Sequence, residues 1–115
     1  MTCDQLIKTL RQHRTELMRQ YGVKSLALFG SVARGDVRDG SDVDLLVEFD
    51  DRPVGLFHLM ATEQHIRELL GVEKVDLVLR RAVIEELREP IFHEAVDVFS
   101  AEEMEIPRAS HDGSN

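Results

Sequence analysis

Three aspartates stand where strand chemistry does not call for them. Asp42 and Asp44 open the segment Asp42-Val43-Asp44-Leu45-Leu46-Val47-Glu48-Phe49, in which Val43, Leu45, Val47 and Phe49 recur with period two. On a strand, residues i and i+2 share a face about 6.6–7 Å apart at Cα. Two carboxylates placed so repel one another, and a cation between them is the simplest relief. Mg²⁺ prefers oxygen ligands of this kind. Asp76 lies inside a second apolar run, Val75-Asp76-Leu77-Val78-Leu79. If the two strands are neighbours, three carboxylates converge. Such a set can hold two divalent ions about 3.5–4 Å apart, one activating an attacking oxygen and one stabilising a leaving phosphate. A plainer arrangement also fits these residues taken alone: Asp42 capping a turn beside Ser41, with Asp44 and Asp76 on the wet face of a sheet.

A second element precedes the acids. Leu28-Phe29-Gly30-Ser31 ends an apolar run in a Gly and a Ser. Glycine lets backbone approach an anion closely, serine offers a hydroxyl, and a helix starting there adds free N–H groups. Arg34 then supplies a guanidinium suited to phosphate oxygens. Gly-Ser alone equally fits a strand end followed by a helix cap. No Gly-Lys-Ser/Thr follows, so this is not a Walker A loop.

These residues need a scaffold. A capping box, Thr2-Cys3-Asp4-Gln5, opens an amphipathic pattern running to Tyr21 and stopped by Gly22, which predicts one helix over about residues 3–21. Ser25–Phe29 reads as a buried strand. Residues 31–41 carry turn chemistry, with a short helix from Ser31 to Arg34. After the Asp42–Phe49 strand, Leu56–Leu70 reads as a helix stopped by Gly71, with a stripe that is chiefly core and an edge available to a partner. Val75–Leu79 is a third strand, and Arg80-Arg81 a solvated turn. Val83, Ile84, Leu87 and Ile91 suggest a helix that Pro90 kinks or ends, and Ala95–Phe99 a last strand. The order α-β-β-α-β-α-β predicts an α/β (α+β) domain: a small mixed sheet with helices packed against it. Residues 1–99 form this domain, and residues 100–115 an acidic flexible tail.

Composition narrows the classes. The 115 residues hold 14 basic and 22 acidic side chains, a net charge of −8. Residues 1–40 carry seven basic and four acidic residues, residues 41–115 seven and 18, so the balance runs from +3 to −11. An acid excess argues against a groove for duplex nucleic acid, though not against an acidic site that recruits metal. No apolar run approaches the ~18 residues of a membrane span, and the N-terminus lacks the features of a secretory signal. The single cysteine, Cys3, allows no internal disulfide, so a cytoplasmic setting is expected. His13, His58, His65, His93 and His111 show no zinc-ligand spacing.

The combination is more specific than its parts. Gly30-Ser31, ten intervening residues, then Asp42-Val43-Asp44 and a later strand acid resembles the signature of the polymerase-β-like nucleotidyltransferase superfamily. Within it, Leu28–Asp36, Ser41–Phe49, Leu70–Val78 and Glu94–Val98 look like the minimal nucleotidyltransferase (MNT) family, over about residues 5–99. The resemblance implies that fold, with Gly30 and Ser31 holding the triphosphate of ATP. Asp42 and Asp44 would bind two Mg²⁺ ions, with Asp76 as third ligand and candidate base, and Arg34 beside the nucleotide. It further implies an antitoxin that transfers AMP to a tyrosine hydroxyl of a HEPN-family ribonuclease toxin, releasing pyrophosphate. No second lobe is evident, so a partner or second copy is expected to complete the site. Two alternatives remain: an antitoxin acting by occlusion with its acids idle, and nucleotidyl transfer to a small molecule.

Overall fold

The computed structural model describes residues 2–35, 42–83 and 85–100. Helix α1 (Cys3–Gln12) starts at the expected capping box: Thr2 Oγ1 accepts from the Gln5 N–H at 3.2 Å, and the Gln5 side chain accepts from the Thr2 N–H at 2.7 Å. The single helix expected over residues 3–21 is two. His13 leaves helical geometry (φ −105°, ψ 14°), and α2 (Arg14–Tyr21) follows. The His13 N–H reaches the Leu10 carbonyl at 3.1 Å, a three-residue contact that tightens the backbone out of α geometry. No Gly or Pro marks the break, and Leu6, Leu10 and Leu17 keep helical spacing across it, so periodicity alone ran through it.

Gly22, left-handed at φ 72°, ends α2 and feeds β1 (Val23–Phe29). A four-residue helix, α3 (Gly30–Ala33), follows directly. Next come β2 (Val43–Phe49), α4 (Leu56–Leu70) and β3 (Val75–Leu79). Arg80-Arg81, expected as a plain turn, lies in a 3-10 turn (Arg80–Ala82). Helix α5 (Glu85–Glu94) and β4 (Val96–Ser100) complete the order. Pro90 lies inside α5 and does not end it. Residues 85–90 are exposed throughout, so water satisfies the carbonyl that Pro90 leaves without a donor. Ser100, expected to open the tail, instead ends β4; the expected turn over residues 36–41, Ile84, and the rest of the expected tail lie outside the described residues.

The four strands form one mixed sheet in the order β3-β2-β1-β4. β1 runs antiparallel to β2 and β4, and β2 runs parallel to β3. Alternation divides the sheet into two faces. Leu26 and Leu28, then Val43, Leu45 and Val47, then Val75, point to one face. There they bury with Leu6, Leu10, Leu17, Ile66 and Leu70 from the helices. The other face is thinner: Ala27, Leu46 and Val83 bury together, with Phe29, Val78, Ile91 and Phe92 packed around them. Asp44, Leu46 and Glu48 of β2, and Asp76 and Val78 of β3, alternate onto this second face. One strand pattern therefore anchors the core and presents the acids.

Candidate functional site

β2 and β3 pair in parallel register, Val43 against Val75, Asp44 against Asp76 and Leu45 against Leu77. The register is held at its start by the Val43 N–H, which donates to the Lys74 carbonyl at 3.1 Å. It places the two aspartates side by side on neighbouring strands, about 4.8 Å apart across the ladder. Both are half-buried. Burial pushes the Asp44 carboxyl above the usual carboxylate range. The Asp76 charge, the Asp42 charge and a hydrogen bond to the Asp76 side chain add to this, while Lys74 opposes it. Asp42 stands one step before the strand, its Oδ2 3.5 Å from Lys74 Nζ. Asp42 and Asp76 both act on Asp44, yet among the described residues no three His, Cys, Asp or Glu side chains close around a common point.

The Gly30 turn packs onto these acids. Phe29, the last residue of β1, is the register partner of Asp44, so the next residue arrives beside the Asp44 side chain. Gly30 has φ 77°, and a Cβ there would collide with Asp44 Oδ2 and lie 3.2 Å from Cγ. Only glycine satisfies both demands. Val32, 1% exposed, roots α3 in the core. The chain then leaves through Arg34, whose N–H returns to the Gly30 carbonyl at 3.3 Å. Ser31 is the second residue of α3.

One residue of this neighbourhood escaped the sequence reading as a functional group. Glu94, the last residue of α5, accepts from the Gly30 N–H through Oε1 at 3.1 Å and from Arg34 Nη1 through Oε2 at 3.1 Å. An acid at a helix end carries no signal of such a contact, because it spans 64 residues of chain.

The other candidates fall elsewhere. Glu16 sits between two histidines, with His13 Nδ1 at 3.2 Å and His65 Nε2 at 2.9 Å, and His58 Nε2 contacts the Tyr21 carbonyl at 2.6 Å. These contacts join α2 to α4 and serve packing. Cys3 lies against the core; burial and then Asp4 push its thiol up, which disfavours the thiolate. A groove lined by Glu48, Phe49, Asp50, Asp51, Arg52 and Arg80 among others lies at the far end of β2 and β3, away from Asp42, Asp44 and Asp76. At the start of α4, Leu56, Phe57 and Met60 are 67%, 85% and 54% exposed. No helix among the described residues is long and apolar enough to cross a membrane.

Comparison with known proteins matches most of the chain. The nucleotidyltransferase domain family matches residues 10–106. A protein adenylyltransferase, MntA, of Thermococcus cleftensis is 33% identical over 98 residues, covering 85% of this chain and 97% of the relative. A Methanocaldococcus jannaschii protein named as a candidate protein adenylyltransferase is 42% identical over 82 residues, covering 71% of this chain and 82% of its own. Among solved structures, a candidate minimal nucleotidyltransferase superposes with a TM-score of 0.69 at 35% identity, over 84% of this chain and 95% of that one. The MNT antitoxin bound to a tri-AMPylated Shewanella oneidensis HEPN toxin shares the fold, at a TM-score of 0.58 and 17% identity over 86% of this chain and 76% of that one.

Proposed function

The chain belongs to the nucleotidyltransferase domain family, within its minimal branch, and on that premise we propose that it is an adenylyltransferase antitoxin that AMPylates a HEPN-type partner toxin. The observation that carries the reading is the register pair Asp44–Asp76 with the Gly30 turn packed against Asp44. The carboxylates that would hold a metal thus lie beside the turn that would receive the phosphates. A relative solved as a toxin–antitoxin with AMP-PNP supports the nucleotide, at a TM-score of 0.64 on this fold.

The donor set suits Mg²⁺. That ion is usually held by one or two carboxylates together with phosphate and water oxygens, not by an all-protein cage. A pair of carboxylates with a third nearby, short of a closed cluster, fits an ion that arrives with its nucleotide. Asp42, Asp44 and Asp76 would hold two such ions. When bound, they would neutralise the triphosphate and lower the energy of both the attacking and the leaving oxygen.

The chain's own residues do the rest. The Gly30–Ser31 turn and Arg34 receive the triphosphate and set the α-phosphorus in line with the acceptor. A tyrosine hydroxyl of the partner attacks that phosphorus. Its proton passes to Asp76, the bond to the bridging oxygen breaks, and pyrophosphate leaves. The half-buried setting of Asp44 excludes part of the solvent that would compete with the acceptor.

Labelled ATP, Mg²⁺ and the cognate toxin test the reading directly. Label should enter the toxin at tyrosine with wild-type protein and not with the Asp42→Asn, Asp44→Asn double variant. Absence of label from a wild-type pair that demonstrably binds would refute it. A second reading, neutralisation by occlusion, draws on the exposed Leu56, Phe57 and Met60, an apolar surface that a partner can cover. It requires the double variant to neutralise toxin as well as wild type at equal abundance.

A further inference from the structure

The Gly30 N–H and the Arg34 guanidinium are among the donors that the nucleotide reading assigns to phosphate, and Glu94 already engages the N–H and one guanidinium nitrogen. Glu94 bridges them, one carboxylate oxygen to each, at 3.1 Å and 3.1 Å. A backbone N–H offers one hydrogen, so a phosphate oxygen cannot share it at full strength with a carboxylate. Two anions beside one guanidinium also repel. The contact is built to exchange: the Arg34 and Glu94 side chains are 56% and 30% exposed, and an ion pair open to water is cheap to break. Glu94 itself stands at the junction of α5 and β4, whose neighbour Ala95 is held by its N–H to the Ile91 carbonyl at 3.0 Å. The side chain can therefore swing away while the backbone stays anchored.

We propose that Glu94 is a built-in stand-in for the triphosphate: it keeps the Gly30 turn and Arg34 arranged for an anion when no nucleotide is present, and the incoming triphosphate must displace it. The inference rests on the nucleotide reading above and adds a residue that sets nucleotide affinity. Glu94 touches neither the reacting atoms nor the acceptor in this account; it acts through Gly30 and Arg34.

The test is the affinity of the full chain, with Mg²⁺, for α,β-methylene-ATP, which binds but cannot transfer its AMP. Glu94→Gln keeps an acceptor for the Gly30 N–H and loses the charge. It should bind the analogue about fivefold tighter than wild type, the scale of one charge contact in a partly exposed site. Inorganic tripolyphosphate, competing for the same turn, should gain by a similar factor, whereas adenosine should gain nothing. Glu94→Ala serves as a second variant should the glutamine variant fold poorly, and thermal melting checks both. Unchanged or weaker binding of the analogue by folded variants, with wild type binding normally, overturns the role of Glu94 and leaves the nucleotide reading standing. An equal gain for adenosine also overturns it, because the effect would then not lie at the phosphates. No binding of the analogue by either protein overturns the nucleotide reading and this inference together.

Discussion

Replacing Asp44 with Asn removes one of two carboxylates held side by side across β2 and β3. Strand spacing brings the two residues to about 5 Å; two unit charges at that distance cost about 3 kcal/mol at an effective dielectric of 20 and about 0.8 kcal/mol in water. Asp44 is half-buried and Lys74 offsets part of the repulsion, so the lower end applies, about 1 kcal/mol. The asparagine keeps the shape and can donate to Asp76. In EDTA at neutral pH the variant should therefore melt higher than wild type by about 4–8 °C, the shift expected for 1 kcal/mol in a domain of this size. The pH dependence has a definite sign. Asp44 titrates higher in the folded state than in the unfolded chain, so its ionisation destabilises the fold above that raised pKa, and the penalty fades as pH falls toward the ordinary carboxylate range. The advantage of the variant should shrink in the same direction. With Mg²⁺ and ATP the order should reverse, since wild type gains a ligand that the variant holds poorly. Thermal melts followed by circular dichroism, in EDTA and then with Mg²⁺ and ATP, provide the assay. A variant that melts no higher than wild type in EDTA would refute the claim that these two charges repel in the free protein despite Lys74.

Other substitutions probe the remaining parts of the site. Gly30→Ala combines a left-handed backbone with a collision against the Asp44 carboxylate, and should cost more than the about 1 kcal/mol of strain alone. Gly35→Ala, at φ 86° with nothing within 4 Å, should cost only that strain, and urea unfolding of the two variants measures the difference. Leu45→Ala, from a fully buried position on β2, should cost about 2–5 kcal/mol and unfold the sheet that carries the acids, read as loss of a cooperative melt. Cys3, its thiol pushed up by burial, should react with iodoacetamide at pH 7.5 more slowly than free cysteine, followed by mass spectrometry.

Much of this site could be read from residue order, because its logic is local. Period-two alternation of Val43, Leu45 and Val47 required a strand with one buried face, and that alone put Asp44 on the opposite face. The Gly30–Ser31 turn, the short helix after it, and the strand around Asp76 were likewise visible, as were α4 and the mixed character of the sheet. Composition had left the acid excess after residue 40 unexplained, and the strand acids account for part of it. What residue order could not supply was whatever depends on distant contacts. The parallel register that sets Asp44 opposite Asp76 follows from the crossover through α4, and a shift of one residue would have sent Asp76 to the other face. The break at His13 arises from a local hydrogen bond that no helix-breaking residue announces. The seat of Glu94 on Gly30 joins residues 64 apart in the chain that are brought together by the pairing of β1 with β4. Side-chain chemistry and alternation thus determined which groups this protein can bring to the candidate site. Only the packed sheet decided which of them touch, since strand pairing is a property of residues far apart in the chain.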